Sequence, residues 1–186
     1  MENLSKIYKD CQESAQQIGI YSLSRDLKSV LLWSHYADQH KGFAVGFNLS
    51  DDLVSEIDPH ITDLSPVTYV TKNPFPTNHI ELFNNSYQQY MNGLGFIIPY
   101  ITQTKLLTSK TKPWSYEKEY RLIRDKSGFV NFDPKIVKEV VFGAAMPDAH
   151  IQTVIKILST TEWSHVKLKR ASLGTDLKIW IHDFTD

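Results

Sequence analysis

One cysteine, Cys11, in 186 residues excludes an internal disulfide framework, and a lone thiolate cannot build a zinc-thiolate centre. Cys11 has no histidine near it in sequence, which removes the simplest thiol nucleophile. No apolar run is long enough to span a bilayer, and the opening MENLSKIYKDCQESAQQ lacks the apolar centre of a signal peptide. The expected setting is cytoplasmic and away from membranes. Neither sign of charge prevails, with 20 Lys and Arg against 21 Asp and Glu. That balance excludes a surface given over wholly to nucleic acid, while leaving room for a local basic patch. The chain has no GxGxxG, no Walker A loop, no GxSxG elbow and no HExxH. His35 and His40 straddle an expected helix end and the other histidines are scattered, so no metal site is expected.

What is present is a chain with 41% hydrophobic and 12% aromatic residues. At this length it can bury roughly two-thirds of its unfolded surface and needs no covalent staple. Residues 1–186 read as one domain, with an N-terminal helix over 1–18 and a core over 19–186. In that first helix Leu4, Ile7, Cys11, Ala15 and Ile18 recur at helical spacing over Glu2 to Gln17. Ile20 to Ser24 reads as a strand, and Leu27 to Ala37 as a helix capped by Asp26, with Val30, Leu31 and Ser34 on its buried face. GFAVGF over Gly42 to Phe47 reads as a central strand, and LSDDLVSEID as a short helix.

Pro66 to Thr71 is an expected strand, ended by the Asn73-Pro74-Phe75-Pro76 break, and Asn78 to about Thr108 is helix-like with a kink near Gly93, Gly95 and Pro99. Lys110 to Pro113 reads as a loop and Tyr116 to Arg124 as a strand. Pro134 to Gly143 runs into the apolar strand KEVVFGA, and Pro147 opens a helix through Leu158. His165 to Ala171 and Leu177 to Phe184 form an expected hairpin. Helices and strands mix without strict alternation, which favours an α+β fold, a mixed central sheet flanked by helices.

Chemistry concentrates in two segments. In Trp114-Ser115-Tyr116-Glu117-Lys118-Glu119-Tyr120-Arg121-Leu122-Ile123-Arg124, an extended backbone puts Glu117, Glu119, Arg121 and Ile123 on one face. Two adjacent carboxylates raise each other's proton affinity and an arginine lowers it, so one of the pair can act as base or charge stabiliser. The same pattern also describes a solvent-facing strand with ion pairs worth under about 1 kcal/mol each. The second segment is Leu32-Trp33-Ser34-His35-Tyr36-Ala37-Asp38-Gln39-His40-Lys41-Gly42-Phe43. Its aromatics could line a pocket for a planar ligand or anchor the core; Trp33 and Tyr36 cannot both face the side of Leu32 and Ala37.

The order LLWSHYADQHKGFAVGF, VTYV, KTKPWSYEKEYRLI and IVKEVVFGAAMP resembles a bacterial and phage-associated family, number 2971 of the domains of unknown function, from roughly Ile20 to Lys169. A looser similarity links Glu119-Tyr120-Arg121-Leu122-Ile123 and the return strand from Pro134 to Val140 to DNA-modifying ADP-ribosyltransferase toxins. In those enzymes a strand glutamate orients the NAD ribose as the nicotinamide bond breaks. The resemblance implies an ADP-ribosyltransferase-like fold and NAD as cofactor. It makes Glu119, with Glu117 and Arg121, the catalytic group. Family members usually begin with a strand and an Asn-Asp-Pro-Phe segment, where this chain has its helix-like Glu2 to Gln17.

Three readings follow. The first is an NAD-using or NAD-cleaving protein of a bacterial toxin or phage-defence system. Its ligand-contacting residues are Trp33, Ser34, His35, Tyr36, Lys110, Trp114 and Tyr116, and its acceptor is a nucleic acid or a protein. The second is a catalytically silent nucleotide-binding or inhibitor module, either a homo-oligomer or a chain whose sheet is completed by a partner protein. The third is a nucleic-acid-binding protein using Lys105, Lys110, Lys112, Lys118, Arg121 and Arg124 as a phosphate-binding patch.

Overall fold

A computed structural model describes residues 17–49, 58–72, 105 and 107–185. The first helix over Glu2 to Gln17, the helix expected in LSDDLVSEID and the helix-like stretch from Asn78 lie wholly or almost wholly outside them. The described elements run β1 (Gly19–Ser24), α1 (Val30–Tyr36), β2 (Phe43–Phe47), β3 (Ile61–Pro66), β4 (Thr68–Val70) and β5 (Ser109–Thr111). They continue with β6 (Glu119–Arg124), β7 (Val137–Phe142), α2 (Asp148–Leu158), β8 (Lys167–Leu173) and β9 (Ile179–Asp183). The fold is α+β, as the mixed pattern implied.

The apolar run in β7 explains the larger sheet, ordered β2-β7-β8-β9. Period-two alternation sends Val141 to one face, where it packs with Trp33, Ala171 and Ile179. Val140 and Phe142 go to the other, where they meet Met146 and Ile151 of the α2 side. A strand covered on both faces has no polar side to show, and Val140, Val141 and Phe142 are accordingly almost fully buried. Pairing with β2 is antiparallel and with β8 parallel, so the sheet is mixed; α2 makes the crossover between β7 and β8. In α2, Ile151, Val154, Ile155 and Leu158 form the inward stripe, with Asp148 in the first turn and Lys156 in the last. The hairpin of β8 and β9 forms as expected. Among the described residues strand β2 lies at the edge of its sheet rather than in the central place its small residues suggested.

A second sheet, ordered β1-β6-β3, is antiparallel throughout, and its centre is β6. Strand β3 was not foreseen; the expected strand from Pro66 divides into the end of β3 and the short β4, which pairs in parallel with β5. Pro66 ends β3 at a sheet edge, where a missing N–H is tolerated. Strand β6 therefore pairs with β1 and β3, while the return strand β7 lies in the other sheet.

Helix α1 is shorter than expected, for a local reason. The Asp26 carboxylate accepts the Lys28 N–H at 3.1 Å and closes a turn of its own, so the cap passes to Ser29, whose hydroxyl accepts the Leu32 N–H. The Leu27 carbonyl is taken by the Trp33 indole N–H at 2.7 Å. Trp33 then fills the core while Leu31 and Tyr36 face out, which resolves the question of which aromatic turns inward.

After α1 the backbone passes through three successive left-handed residues, Asp38, Gln39 and His40, with φ of 44°, 53° and 68°. The loop is held by the His40 N–H donating to the Trp33 carbonyl and by Ala145 N–H donating to the His40 carbonyl at 3.0 Å. A side chain at Gly143 would lie 2.1 Å from the His40 carbonyl oxygen and 2.7 Å from that of Gly42. Both neighbours are backbone and cannot move aside. Gly143→Ala is expected to destabilise the protein by about 3 kcal/mol or more, read as a lowered midpoint in urea unfolding with unchanged slope.

Candidate functional site

Between the two sheets lies a cleft of about 1060 Å³, bordered by Tyr21 to Leu27 of the β1 end, by β2 and by Glu139 and Val141 of β7. Trp33 and Tyr36 of α1 line it, as do Lys110, Glu117, Glu119 and Tyr120. Two of these are carboxylates removed from water, Glu117 at 4% exposed and Glu119 at 5%.

The segment around them is not the continuous strand expected from Tyr116. Pro113 near its start favours a helical turn, and Lys112–Glu117 forms a 3-10 helix. Lys118 then adopts the left-handed conformation at φ 45°, and β6 begins at Glu119. Lys110, expected in a loop, belongs to β5 and is paired with Tyr69. Glu119 and Arg121 do share a strand face; Glu117 reaches them from the 3-10 turn instead of by alternation.

The cluster is built around the Lys110 ammonium. It bonds Glu117 Oε2 directly and Glu119 Oε2 at 3.0 Å. Arg121 Nε donates to Glu119 Oε1 at 2.8 Å, and its Nη1 donates to the Leu107 carbonyl. Ser22 of β1 donates to Glu119 Oε1 at 2.7 Å, and Tyr36 of α1 donates its hydroxyl to Glu117 Oε1 at 2.8 Å. Backbone contacts hold the frame: the Glu119 N–H donates to the Tyr69 hydroxyl at 2.9 Å, and Ser24 donates to the Glu117 carbonyl at 2.6 Å.

Burial pushes the Glu119 carboxyl up, but the hydrogen bonds from Arg121, Ser22 and Lys110 outweigh it and bring the group down to about 2. Glu119 is thus a fixed anion at ordinary pH, suited to stabilising positive charge and unsuited to proton exchange. Burial disfavours charge on Lys110, yet its bonds to Glu117 and Glu119 raise it above the usual lysine range. The bond to Glu117 likewise raises the Tyr36 phenol, which stays protonated as a donor.

Of the residues singled out from sequence, Tyr36, Lys110, Glu117, Glu119 and Arg121 converge. Trp114 lies beside them, with Lys110 Nζ 5.0 Å from its ring centroid, and Tyr116 stacks at a tilt on Trp114 at 6.0 Å. Trp33 borders the cleft but is 3% exposed and tied to Leu27, which makes it a core anchor. Ser34 donates to the Val30 carbonyl and meets the His40 ring, and His35 is exposed outside the cleft lining. Sequence reasoning passed over Ser22 and Tyr69, whose isolated hydroxyls carry no local signal.

Of the six cations grouped as a phosphate-binding patch, four are spent on carboxylates. Lys110 and Arg121 serve the cluster, Lys118 pairs with Asp26 at 2.7 Å, and Arg124 pairs with Asp58 at 2.5 Å. Among the described residues no group of three or more histidine, cysteine or acidic side chains is placed to hold a metal ion. No helix among them is long and apolar enough to cross a membrane.

The fold and this cleft define an α+β domain with an ion-paired carboxylate site between two sheets. Residues 32–122 match the model of the family described as Protein of unknown function (DUF2971), and the resemblance carried by WSHYADQHKGF and WSYEKEYRLI is thereby shown. The match covers the first motif and the second through Leu122, and is narrower than the stretch from Ile20 to Lys169. None of the curated proteins and none of the solved structures matches the chain, and none therefore supports an ADP-ribosyltransferase fold.

The low Glu119 value gives a direct expectation for acid stability. An ordinary glutamate titrates near 4.5, so the depressed group stabilises the fold above that pH and loses its contribution as pH falls from 4.5 towards 2. At pH 7 Glu119→Gln is expected to cost about 3 kcal/mol, because it leaves Arg121 and Lys110 short of a buried anion. The difference from the wild type should shrink steadily between pH 4.5 and 2, measured by denaturant unfolding at each pH. A gap independent of pH would show that the anion is not what Glu119 contributes.

Proposed function

We propose that the cleft binds a nucleotide of the NAD class and that the protein cleaves or transfers at its N-glycosidic bond. The observation carrying this reading is the pair of buried carboxylates lining one cleft, with Glu119 held as a permanent anion. In such a reaction the bond between the sugar carbon and nicotinamide breaks with its electron pair leaving on nicotinamide. Positive charge builds on the sugar, and water or an acceptor hydroxyl then bonds to that carbon and gives up its proton. Glu119 stabilises that charge without being protonated. Each oxygen of Glu117 has one strong partner, which leaves acceptor positions for sugar hydroxyls. The cleft is at the upper end of small-molecule sites, which run to roughly 1,000 Å³. The family resemblance supplies the setting, a bacterial toxin or phage-defence system, with a nucleic acid or protein as acceptor.

A second reading, a silent nucleotide-binding module, is favoured by one observation. Both Glu119 oxygens are already bonded, and two carboxylates are balanced by one ammonium and one guanidinium. The two readings separate in one assay. The protein is incubated with NAD, alone and with single-stranded DNA, RNA or protein acceptors, and nicotinamide release is followed by chromatography. The catalytic reading expects release that Glu119→Gln lowers about a hundredfold while circular dichroism stays native. A thermal shift with NAD but no nicotinamide supports the silent module. Release that Glu119→Gln leaves unchanged sinks the role assigned to Glu119.

A further inference from the structure

We propose that the cleft carries an anion subsite at Arg25, and that the ligand seated there is a phosphate ester. This rests on the reading of the cleft as a ligand site and names the chemical class it takes. Six charged side chains border the cleft: Arg25, Asp26, Lys110, Glu117, Glu119 and Glu139. Five have an opposite charge in contact. Asp26 holds Lys118, Glu117 and Glu119 share Lys110, and Glu139 holds Lys169 at 2.7 Å. Arg25 has no carboxylate partner among the described residues. Its sequence neighbour Asp26 is turned to Lys118 and to the Lys28 N–H, and the bond to Lys118 holds Asp26 below the usual carboxylate range.

Arg25 is nonetheless placed. Its guanidinium carbon lies 3.9 Å from the centroid of the Tyr120 ring, and its backbone N–H donates to the Lys118 carbonyl at 3.3 Å. A guanidinium lying over an aromatic ring keeps its in-plane N–H groups free at the edge, in the fork that matches two phosphate oxygens. A cleft whose other charges are matched and which holds one positioned cation selects an anion.

Strand alternation puts Tyr120 and Glu119 on opposite faces of β6, but they are its first two residues, so Arg25 and Glu117 both border the cleft at the end where the strand begins. A ligand that reaches both presents hydroxyls to Glu117 and an anionic group to Arg25. A phosphorylated sugar, such as the ribose diphosphate part of a nucleotide, has both.

The test is isothermal titration of the full chain with ADP-ribose, inorganic pyrophosphate and adenosine, comparing the wild type with Arg25→Ala and Arg25→Lys. Arg25 is exposed at a strand end, so both variants are expected to fold. The subsite predicts that Arg25→Ala weakens ADP-ribose and pyrophosphate about tenfold or more, that Arg25→Lys restores part of the loss, and that adenosine binding does not change. Equal affinity of Arg25→Ala and wild type for both phosphate compounds, or no binding of either by the wild type, overturns it. Arg25-dependent pyrophosphate binding by a protein that neither binds nor cleaves NAD supports the subsite and removes the NAD reading. NAD cleavage with a KM that Arg25→Ala leaves unchanged preserves that reading and overturns the subsite.

Discussion

The Lys110 ammonium, shared between Glu117 and Glu119, is the contact on which the cleft depends. It joins β5, the 3-10 turn and β6. Two carboxylates this close and this buried would otherwise drive one proton onto the pair. With the ammonium between them and Arg121 behind, both negative charges can be kept inside. The arrangement has a desolvation cost that ion pairing roughly offsets. Its value is therefore better sought in the ligand it orients than in added stability.

That local frame is set on a rigid base. Strand β7 is covered on both faces, by Trp33 on one side and α2 on the other, and fixes the wall of the cleft formed by β2 and Val141. The opposite wall is the sheet centred on β6. Helix α1 connects the two systems, because Trp33 belongs to the core of the first while Tyr36, three residues on, bonds the carboxylate of the second. A single helical turn thus serves packing with one aromatic and the site with the next.

Much of this organisation could be read from residue patterns, and the failures have physical causes. The apolar run KEVVFGA, the helix after Pro147 and the final hairpin follow from periodicity, which local sequence states directly. The start of α1 was misplaced because Asp26 and Ser29 are both competent caps, and the indole of Trp33 decides by taking the Leu27 carbonyl. The 3-10 turn before β6 was missed because Glu117 and Glu119 have strand spacing, whereas the Lys118 backbone breaks the alternation. The convergence of Lys110, Glu117, Glu119 and Arg121 was half visible, since the last three are neighbours in sequence. That Tyr36 and Ser22 complete the cluster depends on tertiary pairing and has no local sign. Leu31, read as buried from its helical position, is exposed because α1 is only two turns long and packs through Trp33.

The contacts that finish the cluster join residues far apart along the chain: Ser22 lies 97 residues from Glu119, and Tyr36 lies 81 from Glu117. Closing loops of that length before any reward is gained slows folding and puts these pairings late in it. A ribosome-bound chain that has not yet released β6 has no partner for β1 and no site at all. The cleft therefore forms only once β1 has paired with β6, far along the chain.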